Sequence, residues 1–226
     1  MNFILYEPRV NFVAVMTNFI PIFPLNIVVF PGEQLNLHIF EERYKQLINE
    51  CNTSKKAFGI PSVINDSIAE MGTLVKIMEI AQVYDDGRMD MRVEGVSVFR
   101  ILEVVKQIPD KLYSGAIVNY PPNETYCQVN MMRQVITAIR ELHRLLKVNK
   151  EFNKADEQLS SYDIAHHAGL TIEEEYELLG LLREDQRLEY LKRHLQKIFP
   201  MVAGIEAIKD KINLNGHFRE LKGFNL

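Results

Sequence analysis

Residues 20–33, Ile-Pro-Ile-Phe-Pro-Leu-Asn-Ile-Val-Val-Phe-Pro-Gly-Glu, restrict the fold more than any other stretch of this chain. An apolar run of this length would ordinarily read as a buried strand. Pro21, Pro24 and Pro31 forbid that, because each lacks a backbone N–H and fixes φ. The run is therefore expected to follow a kinked, largely buried path that closes at Pro31-Gly32.

From residue 34 to residue 120 the chain reads as strands with one helix. Leu35, Leu37 and Ile39 alternate with Gln34, Asn36 and His38, the period of a half-buried strand. Phe40, Tyr44, Leu47, Ile48 and Cys51 then recur at helical spacing. Residues 57–63 form a short apolar run holding Gly59 and Pro61, read as an edge strand, and residues 72–84 read as a longer strand. Asp85-Asp86-Gly87-Arg88 supplies hairpin turn chemistry, and Met89, Met91 and Val93 alternate on the return strand up to Gly95. Residues 113–120 are a further strand, ended by Pro121-Pro122.

Beyond residue 122 the period changes to 3.6. Val129, Met132, Val135, Ile136, Ile139, Leu142 and Leu146 make one stripe of a long helix. A short helix is expected over 162–168. Thr171 with Glu174 matches a capping box and starts another near Ile172. Leu188, Leu191, Leu195 and Ile198 mark a last helix, with Pro200 beyond its end. The tail 201–226 contains Asn215-Gly216, a turn signal, and is expected to pack back on the body.

The bulk numbers exclude several classes. With 226 residues the chain fits one large domain or two small lobes. The net charge is −4; residues 19–120 hold 10 Lys and Arg against 13 Asp and Glu, and residues 121–226 hold 15 against 16. Neither part is basic, which disfavours a phosphate-tracking surface. No apolar run reaches the ~20 residues of a membrane span. The two cysteines, Cys51 and Cys127, read as buried free thiols in a reducing compartment. Residues 1–15 make a poor signal peptide, and Met16 is a candidate natural start.

Three separated segments together resemble the Lon protease N-terminal (substrate-binding) domain family. They are Pro21 to Gly32 with its Phe-Pro-Gly close; Gly72-Thr73-Leu74-Val75-Lys76-Ile77 with the later Arg92-Val93-Glu94-Gly95; and Arg187-Leu188-Glu189-Tyr190-Leu191. Order and spacing agree over about residues 19–200. The resemblance implies an α+β fold: a twisted, partly closed β-barrel-like (PUA-like) lobe with one helix over 19–122, then an all-α helical bundle over 123–200. Residues 1–18 and 201–226 lie outside it. It also implies a module that recognises unfolded or exposed apolar polypeptide segments, as an accessory to a protease or chaperone in the cytoplasm.

The chemistry of an ATPase or peptidase is not expected. The phosphate-cradling string Gly-x-x-x-x-Gly-Lys-Ser/Thr is missing, and the chain stops before a peptidase domain would begin. No cofactor, metal, nucleic acid or membrane partner is expected. Adjacent His166 and His167 would point about 100° apart on a helix, which does not suit a shared metal. Asp85, Asp86 and Asp90 lack the calcium-loop pattern. Ser160, Ser161, Asp163 and His166 read as a capped helix start, as do Glu173, Glu174 and Glu175. Phe23, Phe30, Met89 and Met91 are the candidate peptide contacts, because they sit near edges and a hairpin and methionine adapts to varied partners. The alternative is a PUA-like RNA or small-molecule binding protein.

Overall fold

The computed structural model describes residues 17–125 and 129–221, with side chains over 18–125 and 129–205. Strands come first: β1 (Thr17–Pro21), β2 (Gln34–Ile39), β3 (Phe58–Ile64), β4 (Ser67–Val83), β5 (Met89–Val105) and β6 (Gly115–Asn119), with α1 (Glu42–Ser54) between β2 and β3. Helices come next: α2 (Val129–Leu146), α3 (Ser161–Ala165), α4 (Ile172–Gly180) and α5 (Glu184–Leu221).

The strands form one antiparallel six-stranded sheet in the order β1-β6-β5-β4-β3, with β2 also pairing with β5. The ladder is open. Past Pro21 the chain leaves β6 and touches β3 through isolated parallel bridges, Ile22 to Gly59 and Leu25 to Ser62. β3 ends the ladder, the edge position that Pro61 predicts, and the proline-kinked segment covers its outer side. Gly95 does not interrupt its strand. β5 runs on through it, because the Phe30 carbonyl lies where a Cβ would sit and Gly32 donates to the Gly95 carbonyl at 2.9 Å.

Three buried clusters result among the described residues. One lies under α1 and joins Phe23, Tyr44, Leu47, Phe58 and Val75. A second, of Ile20, Ile22, Phe99, Ala116 and Val118, lies along β1, β5 and β6. The third belongs to the helices, yet it takes in Val28 and Phe30 from the proline-kinked segment and Met71 and Val98 from the sheet. Phe30 is fully buried there, stacked on Tyr162 at 5.4 Å between ring centres and 4.9 Å from the His166 ring. The Phe-Pro-Gly close is therefore a plug that holds the sheet on the helices.

Arg187 organises the helical half. Its side chain is wholly buried, as is that of Glu184, 2.6 Å away. All five of its N–H groups find acceptors: Nε on Ser161 Oγ, one terminal nitrogen on Asn123 Oδ1 and the Leu181 carbonyl, the other on the Glu124 carbonyl and Glu184. The guanidinium also lies 4.2 Å over the Tyr162 ring. Glu184 in turn accepts from the Ser161 N–H and hydroxyl.

α4 starts at its capping box as expected: Glu174 N–H donates to Thr171 Oγ1 at 3.3 Å and Thr171 N–H to Glu174 at 3.0 Å. Phe40 departs from expectation; it precedes α1 and is exposed. Val129 and Leu146, the first and last residues of α2, are exposed too, because the stripe meets the core only along the middle of the helix. The larger departure is α5, which runs through Pro200 to Leu221 and so overrides both the proline stop and the Asn215-Gly216 turn signal. Pro200 is exposed, so water can reach the carbonyl left without its N–H partner. The packing of the tail's side chains beyond residue 205, like Cys127 and residues 1–16, lies outside the described residues.

His166 couples the halves. Its Nδ1 meets Glu175 of α4 at 2.7 Å and its Nε2 meets Glu33, just past the Phe30 plug, at 3.2 Å. Burial pulls its pKa down, but the hydrogen-bonded carboxylates of Glu175 and Glu33 outweigh this and raise it from 6.5 to about 9. Neighbouring His167 is held below its ordinary value, first by burial and then by the charges of His143, Lys150 and His166.

These buried and half-buried charges have two measurable consequences. Arg187→Met leaves Glu184 buried without its cation and lowers unfolding free energy by about 3–5 kcal/mol, read as a fall in the urea midpoint. Adding Glu184→Gln recovers part of that loss; a double variant no more stable than the single one would show that the stranded charge is not the main cost. Because the folded pKa of His166 exceeds the unfolded one, its stabilisation is complete below about pH 6.5 and disappears as pH rises through about 9. Thermal melts across that window should show the decline in the native chain and a flatter profile in His166→Gln.

Candidate functional site

The four residues expected to contact peptide are all interior. Phe23, Met89 and Met91 sit together in the core under α1, and Phe30 sits apart in the helical core; none is more than 7% exposed. Phe23 packs its ring 4.1 Å from that of Tyr44. In this conformation they present no surface to a ligand. The alternation that singled out Met89 and Met91 marks their inward face, and the proline kinks turn Phe23 and Phe30 inward.

A different site arises where two paired strands differ in length. α1 ends at Ser54, and Lys55 takes a left-handed conformation (φ 53°) that lets Lys56 N–H bond back to the Cys51 carbonyl at 3.0 Å. The chain then enters β3, whose pairing with β4 reaches only Phe58 opposite Val75. β4 continues for eight residues more. Among the described residues, no strand pairs with 76–83 on that side. The unpaired edge faces the end of α1 across a groove of about 430 Å³, lined by Cys51, Asn52, Lys56, Lys76, Ile77 and Ile80.

The floor of this groove is apolar: Cys51 is buried, and Ile77 and Ile80 pack half-buried on the core under α1. The rim is shaped by β-bulges. Ile77 pairs with Val93 and Glu79 with Arg92, which leaves Met78 unpaired; Ala81 is left over in the same way. The bulge turns Met78 outward, 47% exposed. Burial raises the Cys51 thiol to about 11, with Glu50 adding to the effect and Lys56 opposing it. The thiol therefore stays protonated at neutral pH and is part of the floor, not a nucleophile.

A second hollow, between α1 and β1, shares Cys51 and Lys56 and is rimmed by Phe19, which is 52% exposed. Its wall is already committed. Glu50 bonds Lys111 at 2.8 Å and Tyr113 at 2.6 Å, and these hydrogen bonds hold its carboxyl below the ordinary range.

The serines, aspartate and histidine of residues 160–166, which in sequence offer a nucleophile, acid and base, separate in space. Asp163 accepts from the Ser160 N–H and hydroxyl, Ser161 belongs to the Arg187 network, and His166 faces Glu33 and Glu175. Sequence periodicity missed Ile77, Met78 and Ile80 because two bulges break the alternation of β4. The available signal was a mismatch of length, a seven-residue β3 beside a 17-residue β4.

Comparison with known proteins agrees with this architecture. A Lon N-terminal domain protein from Xanthomonas campestris superposes with a TM-score of 0.57 at 23% identity, over 78% of this chain and 98% of that one. The N-terminal domain of a Mycobacterium avium complex Lon protease superposes with a TM-score of 0.60 at 15% identity, over 79% and 98%. Both likenesses speak for the fold. A Lon protease of Flavobacterium johnsoniae is 32% identical over 99 residues, 40% of this chain but only 12% of the relative. The ATP-dependent protease La (LON) substrate-binding domain model matches residues 20–197, and the chain belongs to that family.

Proposed function

We propose that this chain is a non-enzymatic receptor for polypeptides that recognises unfolded or exposed apolar segments and hands them to a protease or chaperone in the cytoplasm. The observation that carries this reading is the unpaired edge of β4 above an apolar floor. An extended segment can continue the sheet there, where β3 stops, and bury alternate side chains against Ile77 and Ile80. A folded protein offers few such segments, because most of its strands are already paired, so the edge discriminates by conformation.

Two structural elements support it. The bridges from Ile22 and Leu25 to β3 favour a partly closed, barrel-like lobe over 19–122, which stiffens the sheet that carries the edge. A helical bundle over 123–200 then serves as a base, with Phe30 as the joint. The engaged states of Ser161, Asp163 and His166 favour a binding role over a catalytic one. Among the described residues no helix is long and apolar enough to cross a membrane.

The test is binding of the full chain to a reduced, alkylated protein that stays unfolded, beside the same protein in its native disulfide-bonded form. Saturable binding to the unfolded form alone is expected. Met78→Asp, on the exposed rim, should weaken it about fivefold, equivalent to about 1 kcal/mol of lost apolar contact. Equal binding to both forms, or to neither, refutes the reading.

A further inference from the structure

The groove is unusual in its charge. The chain carries −4 overall, and residues 19–120 carry 10 basic against 13 acidic groups, so a lysine cluster runs against the surrounding field. Lys55, Lys56 and Lys76 nevertheless line this one groove. Lys76 meets Glu94 at 3.2 Å, and Glu79 is drawn to Arg92 at 3.3 Å. Among the described residues Lys55 Nζ donates to a neutral amide, Asn52 Oδ1, at 3.3 Å. Among the described residues no carboxylate pairs with Lys55 or Lys56.

We propose that the groove between the end of α1 and the open edge of β4 selects extended polypeptide segments in which acidic side chains alternate with apolar ones. The proposal rests on the polypeptide-receptor reading and adds the substrate's charge. Alternation arises from strand geometry: side chains of an added strand point by turns to the floor and to the rim. Those facing the floor meet Ile77, Ile80 and buried Cys51. Those facing outward stand near the ammonium groups of Lys55 and Lys56.

The local cations decide over the chain's net negative charge because screening limits reach to about 8 Å at physiological ionic strength. A peptide in the groove lies within that distance of its rim, where Lys55, Lys56 and Lys76 outnumber Glu79. The same lysines could attract a nucleic-acid backbone, but the groove lining has no aromatic side chain on which bases could stack. An unpaired strand edge, in contrast, supplies the backbone donors and acceptors that an extended peptide needs.

The experiment uses the full chain and three fluorescent peptides that share alternating valine and isoleucine residues and carry Glu, Gln or Lys between them. Anisotropy titration should rank them Glu, Gln, Lys, with roughly tenfold between the first and last. Added salt should weaken only the Glu peptide. Lys55→Glu with Lys56→Glu, both on the exposed surface, should reverse the order; because the two charges sit at the C-terminal end of α1, the melting temperature should fall by a few degrees with the fold retained.

Three peptides bound alike, with no effect of charge reversal, would overturn the proposal while binding of the unfolded protein kept the receptor reading intact. Failure of every peptide and of the unfolded protein would overturn both. Tighter binding of bulk transfer RNA than of the Glu peptide, lost in the charge-reversed chain, would assign the lysines to RNA. A dimer dissolved by the same charge reversal in sedimentation would assign the groove to a second copy of this chain. Each of these last two results also overturns the proposal.

Discussion

A guanidinium sealed from water must find five acceptors and a counter-charge within the protein, and Arg187 finds them on four separate pieces of chain. They are the linker at Asn123 and Glu124, the first residue of α3 at Ser161, the turn at Leu181, and Glu184 one turn back on its own helix. Each hydrogen bond is directional, so the set fixes position as well as contact. Burying such a pair adds little net stability, since desolvation opposes the Coulomb attraction. Its contribution here is uniqueness of arrangement. Ser161 is held by Glu184 and Arg187; Tyr162 comes next, under the guanidinium; Tyr162 and His166 then form the socket for Phe30. The sheet is placed on the helices through that socket and through Met71, whose N–H donates to the Tyr176 hydroxyl at 3.1 Å, so part of its orientation traces back to one buried arginine.

Much of this frame is written locally. β2 alternates over the six residues that pair, and Thr171 with Glu174 places the start of α4, because neighbours a few residues apart decide both. The failures have a shared cause in tertiary context. Pro200 reads as a stop, but the exposed flank of a long helix can leave one carbonyl to water. Arg187 sits in Arg-Leu-Glu-Tyr-Leu like any solvent-facing charge of an amphipathic helix, and nothing in the period reveals that its five donors are claimed from residues up to 64 positions away. Phe30 and Met91 look like surface hydrophobes near edges; their burial comes from proline kinks and from α1 packing across the sheet.

The groove was the least legible feature because it is made by an absence of pairing. β3 and β4 each read correctly as strands, yet the free edge depends on where one stops beside the other. Bulges at Met78 and Ala81 then erase the alternation that would have marked the inward face.

The same bulges bear on how an open edge can be tolerated. A long flat edge invites pairing with any strand, including another copy of the chain. Here the edge is broken into short lengths by two bulges and set beside Lys55, Lys56 and Lys76. A second copy offering its own β4 edge would bring Lys76 against Lys76 in an antiparallel pairing centred there, a like-charge contact that destabilises. A partner that supplies carboxylates in place of ammonium groups removes that repulsion and keeps the apolar floor. The lysines that disfavour pairing of two β4 edges are thus the same ones that favour the acidic strand proposed above, so both effects trace to one set of charges.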